Sequence, residues 1–326
     1  MKDELGLTQA DYRRLKIQQK IRNFLNSKCL LPTYMFYFGA KKAWRLNKVK
    51  QNRINWLNEC YDILQNDFSE FIKNYHFVKP NITTRKKYIW VCWLQGESFM
   101  PEIVNECIKS IRKNGGGAEV VLITGKNLKR YVEFPDFIYR KLKTGSLDLT
   151  HFSDLIRMEL LRKYGGLWLD ATIFVSSPIP ESYFEKQLYS IQMLDKENRY
   201  KNIYYGSMTY FLLGGKNECM LFDFCYSFFV EYLKRYNNLI DVHWINLAIR
   251  MAYENYPEVQ LSIDEIGVNN GNVQELMKAI NSPYNVEKYR KISNKQIFHK
   301  LNWRKEYHEI TNGKLTIYGY IKQNLE

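Results

Sequence analysis

Three charged residues, Asp154, Arg157 and Asp170, are spaced so that their side chains can meet at one end of a buried strand. Asp154 and Arg157 are three residues apart in a segment with helical periodicity, so both project from one face of a largely apolar helix. Asp170 follows residues 167–169, which have the composition of a buried strand. Two interpretations are open: a structural buried ion pair, or charges that point into a ligand cleft at the carboxyl end of that strand.

The local sequence predicts the elements that hold these charges. Thr150 is a suitable helix cap, and it places Asp154 in the first turn, where the helix dipole favours a carboxylate. We expect the helix to end at about Tyr164, because Gly165 and Gly166 adopt left-handed conformations cheaply and let the chain reverse. Because Asp170 then lies at the same edge, the convergence of three charges favours the ligand cleft.

The pattern S-D-x-x-R-x-x-x-L-x-x-x-G-G-x-x-x-D resembles that of DXD-type, family 32-like glycosyltransferases, which use nucleotide sugars. The version G-G-L-W-L-D-A-T, followed by S-S-P-I-P, is most similar to bacterial capsular polysaccharide synthesis proteins. The matching residues are Ser153, Asp154, Arg157, Gly165, Gly166 and Asp170. The resemblance spans about residues 88–305 and implies a GT-A-like, Rossmann-like α/β domain.

The resemblance also implies roles for these positions. Ser153, Asp154 and Arg157 match residues that bind the donor sugar and its phosphates, and Asp170 matches a residue that contacts the nucleotide and its metal. It therefore implies a divalent cation, Mn²⁺ or Mg²⁺, held by Asp170 and Thr172. Thr172 departs from the DXD pattern, since a hydroxyl is a weaker ligand than a carboxylate for a hard cation.

Residues 88–101 read as a buried strand, a glycine loop and the start of a helix, an arrangement that forms nucleotide pockets in α/β proteins. The loop lacks the GxGxxG pattern. Its W-x-Q-G sequence resembles the corresponding loop of capsular transferases, where it lies against the nucleobase, so Trp93, Gln95 and Gly96 are candidate donor-binding residues. The alternative for Trp93 and Gln95 is core packing and a turn.

Two later segments add candidate residues. Asp241 resembles a family position near the active site, where a carboxylate would orient the acceptor hydroxyl; its alternative is a helix cap. His299, Lys300 and Arg304 resemble the family's K-L-x-W/Y-K tail. Folded over the donor, Lys300 and Arg304 would neutralise the departing diphosphate. The alternative is a solvated basic surface.

The remaining pattern indicates how the domain is organised. Helix 101–113 and strand 119–123 complete a βαβ unit with parallel strands. Helical periodicity over residues 57–78 and a linker over residues 79–84 place a domain boundary near residue 85. The sequence thus predicts a helical, basic N-terminal region over 1–85 and a GT-A-like domain over 86–326, with a helical C-terminal part.

Cysteines and apolar runs exclude several classes of protein. The six cysteines are scattered without CxxC pairs, so they indicate neither a zinc site nor a disulfide framework. No run approaches the roughly 18 apolar residues of a membrane span, and the first residues lack the apolar core of a signal peptide. These features favour a cytoplasmic location.

The net charge of +14 is concentrated near the start of the chain: residues 1–56 hold thirteen Lys or Arg against three acidic residues. One interpretation is a set of basic helices on an anionic membrane surface, and another is phosphate binding in nucleic acid. The third is an ordinary solvated helical face. No nucleic-acid motif accompanies the charge, so we expect peripheral association with the inner face of the cell membrane and no nucleic-acid partner.

Taken with these features, the resemblance implies a hexosyltransferase that retains anomeric configuration. We expect a UDP-sugar as donor and a growing, lipid-linked saccharide as acceptor, in capsular or surface polysaccharide synthesis. The alternative is a non-catalytic saccharide-binding or scaffold component of a polysaccharide assembly complex, in which Thr172 marks a lost metal site.

Overall fold

The structure, a computed structural model, describes residues 2–18, 42–80, 86–192 and 208–325. Over these ranges the strands are β1 (Tyr88–Cys92), β2 (Glu119–Ile123), β3 (Gly166–Leu169), β4 (Ile173–Val175), β5 (Leu188–Gln192), β6 (Met208–Gly215), β7 (Phe298–Lys300), β8 (Ile310–Thr311) and β9 (Lys314–Leu315).

The helices of the same ranges are α1 (9–18), α2 (Lys42–Asp67), α3 (Ser69–Asn74), α4 (Glu102–Asn114), α5 (Asp136–Thr144), α6 (Leu149–Tyr164), α7 (Ser182–Glu185), α8 (Met220–Arg235), α9 (Trp244–Asn255), α10 (Pro257–Asp264), α11 (Glu275–Ala279), α12 (Val286–Ser293) and α13 (Ile317–Gln323). Short 3₁₀ turns cover Glu97–Phe99 and Leu128–Arg130. None of these described helices is long and apolar enough to span a membrane.

The central sheet of the described chain has five strands in the order β2-β1-β3-β6-β5. β1 pairs in parallel with β2 and with β3, so Ile89 lies between Val120 and Leu167. β6 runs antiparallel to both β3 and β5. The predicted βαβ unit, with α4 as its crossover, is confirmed, and so is the α/β class with parallel strands at the centre of the sheet.

Strand residues alternate between two apolar layers, one on each face of the sheet. Ile89 and Val91 of β1 pack into the layer that contains α4, whereas Trp90 packs into the layer that contains α6, α8 and α9. β3 follows the same alternation, with Trp168 on the α6 side. Burial on both faces explains why these strands read as continuous apolar runs.

The N-terminal residues pack against this body. The core layer that holds α8 and α9 also contains three buried residues of the N-terminal segment, Leu5, Leu7 and Tyr12. One face of α2, from Leu57 onward, is buried in the same layer. Residues 81–85, where the domain boundary is predicted, lie outside the described residues, and the boundary stays a prediction. The apolar faces on its two sides belong to one core.

Helix α6 begins at Leu149, two residues earlier than predicted, and has a different cap. Asp148, rather than Thr150, occupies the N-cap position, and its carboxylate accepts hydrogen bonds from the backbone N–H groups of Thr150 and His151. The prediction of Thr150 as the cap is therefore wrong. Asp is at least as good a cap as Thr, and its negative charge also interacts favourably with the positive end of the helix dipole.

The turn between α6 and β3 depends on its two glycines. Gly165 has φ +64° and Gly166 has φ +94°, a backbone region that L side chains rarely adopt. A Cβ atom on Gly166 would lie 2.4 Å from the carbonyl oxygen of Tyr88 in β1. The turn therefore needs glycine for its conformation and for close approach of β3 to β1, and this approach sets where Asp170 emerges.

We predict that Gly166→Ala lowers the free energy of unfolding by about 3 kcal/mol, the sum of a left-handed penalty of roughly 1–2 kcal/mol and overpacking of roughly 1–3 kcal/mol. Gly117→Ala is the matched control, because Gly117 has φ +81° but open space where its Cβ would lie. The control should lose only the conformational part. Urea unfolding of both variants checks this, and equal losses would contradict a close contact at Gly166.

Candidate functional site

Arg157 joins the two carboxylates that the sequence predicts to converge. Its Nη1 atom donates to Oδ1 of Asp154 at 2.8 Å, and its Nη2 atom lies 3.3 Å from Oδ1 of Asp170. The guanidinium carbon lies 4.7 Å from the centre of the Trp168 ring and 5.6 Å from that of Tyr210. A planar guanidinium suits this site, since it pairs with two carboxylates while resting on aromatic faces.

Asp154 is held from two sides. Its Oδ2 atom accepts a hydrogen bond from the indole N–H of Trp244, at 2.8 Å, while Arg157 binds the other oxygen. Burial raises the pKa of Asp154 above its ordinary value, although Arg157, His151 and the Trp244 hydrogen bond oppose that rise. These partners therefore favour the charged carboxylate and offset part of the desolvation cost.

Asp170, directly after β3, has a pKa that is shifted in the opposite direction. Its Oδ1 atom accepts from the Trp168 indole at 3.0 Å, and its Oδ2 atom accepts from Nζ of Lys300 at 2.9 Å. Burial alone would raise the pKa of Asp170, but the charges of Lys300 and Arg157 and these hydrogen bonds lower it below the ordinary value. Asp170 is a charged carboxylate whose two oxygens both face donors.

The short ladder between β4 and β7 brings Lys300 to Asp170. Lys300 lies opposite Ile173, and its ammonium also donates to the Thr172 hydroxyl at 2.7 Å. Neighbouring His299 points the other way, because successive strand residues face opposite sides. Its Nε2 atom lies 3.0 Å from the hydroxyl of Ser176, and burial lowers its pKa to about 4.

His151 lies beside this network on the first turns of α6. Its Nδ1 atom is 2.8 Å from Oδ1 of Asp148, and its ring packs edge-on against Trp244. Burial lowers the pKa of His151, but the hydrogen bond and charge of Asp148, together with the charge of Asp154, outweigh burial and leave this pKa raised. The protonated form of His151 would add positive potential beside the Asp154 carboxylate.

The charged groups open into a cleft of about 280 Å³. Trp93, Gln95 and Ser153 line it together with Asp154, Arg157, Asp170, Thr172, Lys300 and Arg304, all predicted site residues. Trp93 meets Trp303 edge to face with ring centres 6.1 Å apart. The structure therefore brings most of the predicted site into one cavity at the carboxyl ends of β1 and β3.

A larger hollow, of about 530 Å³, lies on the other side of Gln95 along the edge of β2. Gly96, Thr124, Asn127 and Arg130 are among its lining residues, and Gln95 borders both spaces. The hollow is larger than the cleft, but it contains none of the carboxylates of the α6–β3 motif. We place the chemistry in the smaller cleft, because the convergent charges with shifted pKa values are there.

Three predicted site residues are not among those that line the cleft: Gly96, which lines the larger hollow, and Asp241 and His299, which line neither space. Asp241 accepts a hydrogen bond from the Trp56 indole at 2.9 Å and from the backbone N–H of His243 at 2.8 Å. It lies two residues before the N-cap of α9, which is His243, so the helix-cap alternative is wrong. His299 faces Ser176, as described above. A role for either residue in binding or catalysis stays a prediction.

The sequence alone did not identify three residues that shape the cleft: Trp244, Tyr210 and Lys16. Trp244 and Tyr210 look like ordinary core aromatics in the sequence. Lys16 is one of many N-terminal basic residues, yet its ammonium lies 4.3 Å from the ring centre of Trp303 at the cleft. Trp244 lies three residues after Asp241, in the segment D-V-H-W, and it is the tryptophan rather than Asp241 that contacts Asp154.

The side chains around Asp170 do not fit a resident divalent cation. Mg²⁺ and Mn²⁺ prefer oxygen ligands, and here the Asp170 carboxylate and the Thr172 hydroxyl are both bound by the Lys300 ammonium. Among the described residues, no three His, Cys, Asp or Glu side chains come together as a metal site. The predicted metal stays untested, and we derive no chemical step through it.

The sequence of residues 41–321 matches the capsular polysaccharide synthesis protein family. The chain belongs to this family. The match covers the charged cleft from α6 to β7 and most of the helices around it, so the geometry described above belongs to the family domain.

One curated relative is the O-glycosyltransferase braB of Annulohypoxylon truncatum, 30% identical over 129 residues, which are 34% of this chain and 31% of the relative. The chain therefore spans about a third of that relative's length. A solved structure, the PaToxG glycosyltransferase, is 11% identical, with a TM-score of 0.38 over 72% of this chain and 92% of that one.

We predict that Trp244→Phe destabilises the protein in a pH-dependent way. The indole N–H stabilises the charged form of Asp154, so without it the pKa of Asp154 rises further. The loss should therefore be greatest at pH values above this pKa, where the carboxylate is charged, and should shrink as pH falls through this pKa.

Trp90→Phe is the matched control, because the buried Trp90 indole donates to the neutral carbonyl of Gly165 at 2.9 Å. At about pH 8 we expect Trp244→Phe to cost about 1 kcal/mol more than Trp90→Phe, the difference between charged and neutral acceptors. Urea unfolding across a pH series measures both. Equal, pH-independent losses would mean that Trp244 does not stabilise the Asp154 charge.

Proposed function

We propose that this protein transfers a hexose from a nucleoside diphosphate donor, a UDP-sugar, to a hydroxyl of a growing saccharide. The observation on which the proposal chiefly rests is the cleft in which Arg157 joins Asp154 and Asp170 next to Lys300. Membership of the capsular polysaccharide synthesis protein family supports it, and so does the similarity to an O-glycosyltransferase. We place the reaction in capsular or surface polysaccharide synthesis, with a lipid-linked acceptor.

The charge of the cleft supports an anionic, phosphate-bearing ligand. Among the described lining residues, the cations are Lys16, Arg157, Lys300 and Arg304, against the carboxylates Asp154 and Asp170. The surplus of positive charge suits a diphosphate. Preorganised cations of this kind stabilise negative charge as it develops on a leaving group. We assign Lys300 and Arg304 to the diphosphate, and Asp154 and Arg157 to the donor sugar.

The two adjoining spaces support an extended donor. Gln95 borders both the charged cleft and the larger hollow beside β2. With the diphosphate in the cleft, the nucleoside would extend past Gln95 and Gly96 into the hollow. This placement follows the tendency of α/β proteins to bind nucleotides outside the carboxyl ends of parallel strands.

The reaction we propose retains anomeric configuration. The bond between the anomeric carbon and the β-phosphate oxygen breaks, and its electron pair leaves with the nucleoside diphosphate. The acceptor oxygen bonds to the same face of that carbon, and its proton passes to the departing phosphate. Asp154 and Asp170 each have both oxygens engaged by donors, which supports this front-face route over a carboxylate nucleophile.

The decisive experiment measures release of nucleoside diphosphate from a panel of UDP-, GDP- and dTDP-hexoses by wild type and by Arg157→Lys. Lysine keeps the charge but loses the fork that joins the two carboxylates, so we expect kcat/KM to fall by about 100-fold. If wild type binds these donors but hydrolyses none, with or without a saccharide acceptor, the protein is instead a non-catalytic binding component.

Arg162→Lys is the matched control. Arg162 lies on the same helix and also contacts two carboxylates, Glu159 at 2.7 Å and Asp223 at 3.3 Å, but it is not among the residues that line the cleft. Its activity should stay within about twofold of wild type, since no donor-binding group changes. Equal losses in both variants would indicate a structural role for Arg157 only.

We further propose peripheral attachment to the inner face of the cell membrane through the basic N-terminal region. Residues 19–41 lie outside the described structure, whereas residues 2–18 pack on the α/β body and contribute Leu5, Leu7 and Tyr12 to its core. Deleting residues 1–56 would therefore damage the fold as well as remove charge. The basic residues between 20 and 41 are the better target for substitution.

Charge reversal tests the attachment by flotation with phosphatidylglycerol vesicles. Substituting Glu at four N-terminal positions should abolish salt-sensitive flotation, because each basic residue near an anionic surface contributes to binding. These positions are Lys20, Arg22, Lys28 and Lys41. The control reverses four exposed charges on or near α12, namely Lys288, Arg290, Lys291 and Lys295, and gives the same net charge. Equal loss in both variants would show that only net charge matters.

A further inference from the structure

The ammonium group of Lys300 occupies the position between the two side chains that the sequence motif assigns to a metal. It lies 2.9 Å from Oδ2 of Asp170 and 2.7 Å from the hydroxyl of Thr172. Backbone bonds fix this placement, since the N–H of Leu301 donates to the carbonyl of Thr172 at 2.9 Å and that of Lys300 donates to Val273 at 2.7 Å.

This arrangement offers a divalent cation few suitable ligands. Lys300 binds one Asp170 oxygen, and the other accepts from Arg157 and Trp168. A metal at the carboxylate would lie within a few ångströms of an ammonium and a guanidinium, where like charges repel strongly. The hydroxyl of Thr172 offers no negative charge to offset that repulsion.

Lys300 is also placed to reach a ligand. Its side chain is about a quarter exposed and lines the cleft. An ammonium has three N–H donors, and two of them serve Asp170 and Thr172, which leaves one for a phosphate oxygen. Arg304 and Lys16, both close to the ring of Trp303, bring two more cations to the same cleft.

From these contacts we propose that Lys300 replaces the divalent cation, so that the protein binds the donor diphosphate and expels it without a metal ion. Asp170 then serves as the anchor that orients the Lys300 ammonium rather than as a metal ligand. The proposal rests on the proposed function, because it assumes a nucleoside diphosphate in the cleft. It differs from the DXD resemblance, which implies a metal at Asp170 and Thr172.

Calorimetric titration with UDP, GDP and dTDP tests this proposal, each in EDTA and in excess Mn²⁺. For the nucleotide that binds, we expect the wild-type Kd to agree within about twofold between the two buffers, since Lys300 already supplies the cation. Lys300→Ala should weaken binding in EDTA by about tenfold or more, the scale of one lost charge-assisted contact. Lys300→Arg should recover most of that loss.

Lys295→Ala is the control, because Lys295 is an exposed lysine that pairs with Glu275 at 3.4 Å. It should bind the nucleotide as wild type does. Thermal melting of each variant verifies folding. A second readout is the electron paramagnetic resonance signal of free Mn²⁺: adding wild-type protein to Mn²⁺ and UDP should remove no more free Mn²⁺ than UDP alone removes.

The outcomes are distinct. Wild-type binding that needs Mn²⁺, or protein-dependent loss of the Mn²⁺ signal, would overturn the role of Lys300 while leaving the donor assignment intact. A Lys300→Ala variant that folds and binds as wild type does in EDTA would do the same. If none of the three nucleotides binds in either buffer, the donor assignment is overturned, and the inference with it.

Discussion

The buried guanidinium of Arg157 is the group on which the rest of the site depends. It is bound by two carboxylates from different elements, Asp154 on α6 and Asp170 after β3. Removing one partner from a buried ion pair typically costs about 3–5 kcal/mol, because the remaining charge is left without compensation. The surrounding contacts therefore compensate the buried charges. Trp244 and Trp168 donate to the two carboxylates, and Lys300 adds a second cation at Asp170. The charges are oriented before any ligand arrives, which is the condition under which fixed charges contribute most to catalysis.

The sequence correctly predicted the features that depend on the spacing of nearby residues. The α6–turn–β3 unit, strands β1 and β2, and the proximity of Asp154 to Arg157 follow from periodicity and from two glycines, which act over a few residues. The contacts that the sequence missed join distant parts of the chain. Trp244 is 90 residues from Asp154, and in the sequence it looks like any core tryptophan. His299 and Lys300 were predicted together, but they alternate along β7 and so face opposite sides. The opposite directions of these two side chains could be predicted only if a strand were predicted at this position. A strand of three residues is too short for its alternation to be visible in the sequence.

The N-terminal residues have more than one role. Residues 2–18 pack on the loops that follow β1 and β2, where the side-chain amide of Gln9 donates to the carbonyl of Gln95 at 2.9 Å. The ammonium of Lys16 makes a cation–π contact with the ring of Trp303 at the cleft. The basic composition of the first 56 residues suggested one solvated or membrane-bound surface. In the structure, part of that charge lies at the proposed phosphate site, because packing of Leu5, Leu7 and Tyr12 brings the segment there. Composition alone cannot make this distinction, since a lysine at a ligand site and a lysine in solvent are identical in sequence.

The central claim is that the charged cleft binds the diphosphate of a nucleotide sugar. A crystal structure of the protein with UDP, grown in EDTA, tests this claim most directly. Our account predicts phosphate oxygens within hydrogen-bond distance of Lys300 and Arg304, with the uridine beyond Gln95 in the hollow beside β2. Density for UDP elsewhere, or in the cleft with its phosphates turned away from these cations, would contradict it.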